Sequence, residues 1–196
     1  MGASEKLTAA FRLFDAANSK DPNTEMFEGK AYPKEVLYAH RMTATLMEFA
    51  PDASEALQLT ARCQHICRWE IPRDRYEMNR PGYLRWRQEL KKFHVEIASE
   101  ILKKVGNDDE EIAEVSFLLL KKQLKKSEAT QTLEDVICLV FLKHYFEPFA
   151  NKHDADKIVD ILQKTWRKMS EKGHKAALKL PLSEASMALV AKAISS

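Results

Sequence analysis

Apolar residues recur at helical spacing along almost the whole of this 196-residue chain, and no stretch shows a sustained strand alternation. Five glycines and seven prolines leave few points at which a helix must stop. The spacing predicts an all-α fold. A chain of this length that is 45% hydrophobic fills one core well, so a single compact helical domain over 1–196 is expected.

Helices are expected over about 4–18, 34–49, 52–69, 83–105, 107–122, 132–146, 153–169, 171–180 and 183–194. Residues 21–33 read as a polar loop. Asp52 with Glu55, and Thr132 with Asp135, read as capping boxes, while Gly106 suits a helix end. Pro72 forces the third helix to stop before it. The Thr132–Phe146 stretch is apolar nearly all round, which predicts a helix buried on most sides.

Formal net charge is +2, which by itself calls for neither nucleic acid nor membrane. The three cysteines are an odd number without secreted-type spacing and read as thiols of a reducing compartment. No signal-type apolar run and no membrane-length apolar stretch is present in the sequence, so a soluble cytoplasmic domain is the expectation.

The richest stretch is Ala61–Arg73, ARCQHICRWEIPR, which ends a predicted helix and enters the following loop. Spacing places His40 in line with Val36, Ala44 and Met47, and His65 in line with Leu57 and Ala61. His94 neighbours Leu90 and Ile97, and Asp135 lines up with Leu139 and Leu142. All four are therefore expected to face inward, as metal ligands in helical domains do. Each also has a plain reading, as a hydrogen-bonded core histidine or, for Asp135, a helix cap.

His40 precedes His65 by 25 residues, and Asp135 follows it by 70. This order resembles the HD-type metal phosphohydrolases, all-helical enzymes with one His, a His-Asp pair and a distant Asp. The resemblance implies a metal held by His40, His65 and Asp135, whose bound water attacks a phosphate ester. The chain departs from the pattern at Ile66, where the pair requires Asp, so a dinuclear site is not expected. Imidazole with carboxylate suits a divalent transition metal: Mn, Fe, Co, Ni or Zn. Glu70 would serve as general base if the helix unwinds before Pro72, with Arg68, Trp69, Arg73 and His94 on the substrate.

Between Arg68 and Lys92 stand eight basic residues against four acidic ones, interleaved with Trp69, Tyr76, Tyr83 and Trp86. Guanidinium forks and aromatic faces suit a phosphorylated small molecule or nucleotide, with RNA as another ligand of the same chemistry. Lys168-Met-Ser-Glu-Lys172 resembles the KMSKS loop of class I aminoacyl-tRNA synthetases. The sequence lacks the parallel-sheet pattern that loop serves, so Ser170 reads as a helix cap.

The segments RCQHICRWEIPR (62–73), RPGYLRWRQELKKFH (80–94), QTLEDVICLVFLKHYFEPFA (131–150) and KTWRKMSEKG (164–173) together resemble the domain of unknown function 4202 family. That resemblance implies no particular chemistry. Three functions stay open: a phosphate-ester hydrolase, a non-catalytic module for an anionic ligand or RNA, and a structural helical protein.

Overall fold

The computed structural model describes residues 3–195. In chain order its elements are α1 (Ala3–Asn18), β1 (Thr24–Phe27), β2 (Lys30–Pro33), α2 (Lys34–Phe49), α3 (Glu55–Cys63), α4 (Arg80–Val105) and α5 (Asp109–Leu119). There follow α6 (Glu128–Val140), a π-turn (Phe141–Tyr145), α7 (Phe146–Ala150), α8 (Ala155–Lys168), α9 (Glu171–Ala177) and α10 (Glu184–Ile194). The fold is all-α, with one small hairpin.

Most of these helices begin at a short polar side chain that accepts an otherwise unpaired backbone N–H. Ser54 accepts from Leu57, Asp108 from Glu111, Ser127 from Thr130 and Ser170 from Gly173. Ser170 thus caps α9, as its place in the Lys168–Lys172 segment predicts. The predicted boxes at Asp52 and Thr132 do not form. Ser54 and Ser127 hold the extended backbone that a cap needs, and Asp135 consequently lies well inside α6.

Two further expectations are corrected. Residues 24–33 form an antiparallel hairpin, Thr24 opposite Pro33 and Phe27 opposite Lys30. Its two turn residues, Glu28 (φ 49°) and Gly29 (φ 76°), both have positive φ, as a tight primed turn demands. Glu-Gly is a weaker turn signal than Asn-Gly, and four-residue strands are too short to show alternation. The third helix stops at Cys63 instead of reaching Trp69. Cys67 is left-handed (φ 52°), which ends right-handed helix, and its N–H donates to Asn18 Oδ1 at 2.9 Å. Short 3₁₀ turns follow at Arg68–Glu70 and Arg73–Arg75.

The chain divides into two compact units, Met1–Met47 with Asp52–Lys122, and Glu48–Pro51 with Gln123–Ser196. In the first, Ala10 and Phe14 of α1 pack with Leu59 and Cys63 of α3, Ala98 and Leu102 of α4, and Val115 and Leu119 of α5. Each large side chain so buried contributes about 1.5–3 kcal/mol. The inward row of α4 runs Trp86, Leu90, His94, Ala98 and Leu102, in steps of four, and leaves Tyr83 at 42% exposure. In the second unit, Leu139, Leu142, Phe146, Ile158, Leu162 and Val190 form the core. Cys63, Cys67 and Cys138 are all buried thiols outside any disulfide. Among the described residues no helix is long and apolar enough to cross a membrane.

Candidate functional site

In the first unit the start of α2, the turn after α3 and the middle of α4 bring Glu35, His65, Arg68 and His94 into one cluster. Strand β2 ends at Pro33 and α2 begins at Lys34, so the hairpin delivers Glu35 directly into the first helical turn. The Glu35 N–H donates to Asp21 Oδ2 at 3.1 Å. Its side chain is buried, and Oε2 has no hydrogen-bond partner among the described residues. That oxygen lies 3.4 Å from His65 Nδ1, an ion-pair distance longer than a well-made hydrogen bond. Burial pushes the carboxyl up to about 7; Arg68 opposes the shift and Asp21 adds to it.

His65 stacks on Tyr38, with ring centroids 4.0 Å apart and planes 9° from parallel. Its Nε2 lies 3.2 Å from Arg68 Nη1. A guanidinium can only donate, so Nε2 is the acceptor, and in a neutral imidazole the hydrogen sits on Nδ1, facing Glu35. Burial first, then Arg68, Lys121, Arg87 and Lys34, hold His65 well below the usual histidine range.

The Arg68 guanidinium lies over the Trp86 ring, 4.9 Å from its centroid. Trp86 is fixed in turn by its Nε1–H, which donates to the Ile71 carbonyl at 2.8 Å. Burial lowers the Arg68 pKa, and among the described residues no carboxylate comes within ion-pair range of its guanidinium. His94 Nδ1–H donates to the Ile66 carbonyl at 2.8 Å, leaving Nε2 buried with a lone pair and no partner. Burial, followed by the neighbouring His65, drives His94 down to about 3.

The other predicted site residues sit elsewhere. His40 is not inward: its side chain is 48% exposed and pairs with Asp15 at 3.2 Å, which Arg62 also grips. The buried face of α2 instead carries Glu35, Tyr38, Met42, Thr45 and Leu46. Asp135 is buried in the second unit, where Oδ1 accepts from the Ser170 N–H at 2.8 Å and Oδ2 from the Ser170 hydroxyl at 2.5 Å. Among the described residues no group of three or more His, Cys, Asp and Glu side chains is arranged to hold a metal ion.

Arg73 ties down the loop before α4, donating to the carbonyls of Tyr76, Glu77 and Asn79. Trp69 packs on the first unit's core. Glu70 is exposed on its 3₁₀ turn. It neighbours Cys67, whose thiol is pushed up to about 11 by burial and then by Glu70. Sequence reasoning missed Glu35 and Tyr38. The signal for Tyr38 was present, because Leu37, Tyr38, Met42 and Leu46 are the bulkier side of α2; Glu35 had none in its residue type.

The family profile described as Domain of unknown function (DUF4202) matches residues 8–190. The chain belongs to this family. No curated protein and no solved structure matches it. The match spans every element of the DUF4202 chain that builds the cluster, from Asp21 through Glu35, His65 and Arg68 to His94.

Proposed function

We propose that the first unit binds a phosphorylated small molecule or nucleotide at Arg68 and hydrolyses its phosphate ester with the Glu35–His65 pair. The observation that carries this reading is Arg68, a partly buried guanidinium with an imidazole and an indole beside it and, among the described residues, no carboxylate within ion-pair distance. A desolvated charge of this kind gains most from an anion, and its fork matches phosphate. Lys34, Arg87 and Lys121 add positive potential around His65. The exposed Tyr83 ring, with Arg73 and Arg87 guanidinium carbons within 6 Å of its centroid, offers a face on which a base stacks.

The chemistry follows from the tautomer. Glu35 faces Nδ1–H and, as a carboxylate, stabilises the imidazolium, so Nε2 takes one proton from an attacking water. The water oxygen bonds to phosphorus, and the same proton passes to the departing ester oxygen. The residues expected to hold a metal do not fit one: His40 is paired with Asp15, and Asp135 is committed to Ser170. No step is derived through a metal, and the likeness to HD-type enzymes lends the reaction class alone. The three buried thiols, none in a disulfide, suit a reducing compartment, and we place the protein in the cytoplasm.

Calorimetric titration with inorganic phosphate and adenosine monophosphate tests binding, and phosphate release from a panel of monoesters tests turnover. Arg68→Ala removes charge-assisted bonds worth about 1.5–3 kcal/mol and is expected to weaken phosphate at least tenfold. Glu35→Gln is expected to keep binding and lose turnover. Binding without release would leave an anion-binding module; no binding by the wild type would overturn the reading.

A further inference from the structure

The nitrogen that hydrolysis needs is covered in this structure. His65 Nε2 accepts from Arg68 Nη1 at 3.2 Å, and the other ring nitrogen carries hydrogen toward Glu35. The imidazole is stacked on Tyr38 at 4.0 Å, which holds the plane of the ring. Arg68 itself lies on the Trp86 face, a contact that lets a guanidinium slide in its plane. Arg68 therefore does two things at one site: it is the anion's binding group, and it is the group lying on the base.

We propose that Arg68 is a ligand-released cap on His65: an anionic group entering the site draws the guanidinium off Nε2 and bares the basic nitrogen. This rests on the anion-binding reading above. It makes the general base available only when a phosphate is present to be cleaved.

The charged and titratable groups facing the imidazole set what release does. Glu35, Lys34 and Tyr38 come from α2, Arg68 from the turn after α3, Arg87 and His94 from α4, and Lys121 from just beyond α5. After burial itself, the Arg68 charge is what most opposes protonation of His65. Withdrawing its charge toward an anion, and adding the anion's own negative charge, both favour the imidazolium. Release thus uncovers Nε2 and strengthens it as a base in one movement.

Long-range proton–nitrogen NMR of the full chain, with His65→Gln used to assign the His65 signals, reads both tautomer and pKa. In the free wild type the Nδ1–H form is expected, with protonation well below the usual histidine range. Saturating inorganic phosphate is expected to raise the His65 pKa by at least one unit and to shift the Nε2 resonance. Arg68→Gln is expected to raise it without phosphate, and Arg68→Lys, which keeps charge near the ring, by less. If calorimetry shows phosphate bound while the His65 signals stay unchanged, the cap is overturned and the binding reading survives. If phosphate does not bind, both fall.

Discussion

Oε2 of Glu35 lies 3.4 Å from Nδ1 of His65, the ring nitrogen that carries the hydrogen. Burial penalises the ionised form of each group, yet Arg68, Lys121, Arg87 and Lys34 oppose only the imidazolium. A carboxylic acid titrating at about 7 beside a neutral imidazole is a pair poised for proton exchange.

The sign of its effect on stability is fixed. Folding raises the Glu35 pKa from 4.5 to about 7, so the folded state keeps a proton that the unfolded chain releases. Its contribution to stability is full below pH 4.5 and is lost as pH rises to about 7, by up to about 3 kcal/mol. Glu35→Gln is expected to melt higher than wild type at pH 8 and to approach it near pH 4.5. Equal melting temperatures across thermal scans from pH 4 to 9 would contradict a carboxyl with a raised pKa here.

His65 and His94 act in the opposite direction. Their folded forms refuse a proton that the unfolded chain accepts near pH 6.5, so stability is lost as pH falls below that value. The His94 limb continues to about pH 3. His94→Gln, whose amide can still donate to the Ile66 carbonyl, is expected to flatten the acid limb in urea midpoints between pH 6.5 and 4. A limb as steep as wild type would remove His94 from this account.

Cys67 positions Arg68 against His65 through its left-handed backbone, not through its sulfur. A β-branched residue pays more there than an unbranched one, so Cys67→Val is expected to lose about 1–2 kcal/mol and to weaken phosphate binding. Cys67→Gly removes that strain and is expected to retain binding. Denaturant melts with phosphate titrations separate the two, and loss of binding in the glycine variant would instead implicate the thiol.

In the second unit, Gly173 packs against the Asp135 carboxyl, where an added Cβ would lie 2.5 Å from Oδ1. That is closer than real contacts, and Asp135 cannot withdraw without giving up the Ser170 N–H and hydroxyl. Gly173→Ala is expected to destabilise by about 1–3 kcal/mol, despite alanine's better helix propensity. Asp135→Ala with Gly173→Ala together should cost less than the sum of the single changes. Strict additivity in a double-mutant cycle would show that the two do not meet.

Helices were legible because their apolar rows repeat over many turns, and Gly106 ends α4 left-handed (φ 87°) as its type predicts. The inward placement of His94 was legible, since a polar group on a row of Leu and Ile stands out. Glu35 was not. A first-turn glutamate is favoured by the helix dipole whether or not it is buried, so its residue type carries no sign of its environment. The row of α2 through His40 misled for a related reason. Val36, Ala44 and Met47 are apolar enough to resemble a core face, yet the bulkier Leu37, Tyr38, Met42 and Leu46 win the interior. The hairpin was hidden by strands too short for their alternation to register.

That hairpin is joined to α2 without an intervening residue, since Pro33 ends one and Lys34 begins the other. Arg41 fastens it from the helix side, holding Glu25 at 2.5 Å and lying 5.1 Å from the Phe27 ring centroid. The tip, Glu28–Gly29, is therefore the far end of a short stiff arm whose near end carries the acid of the cluster. A partner or antibody that grips the tip would pull on Glu35 mechanically.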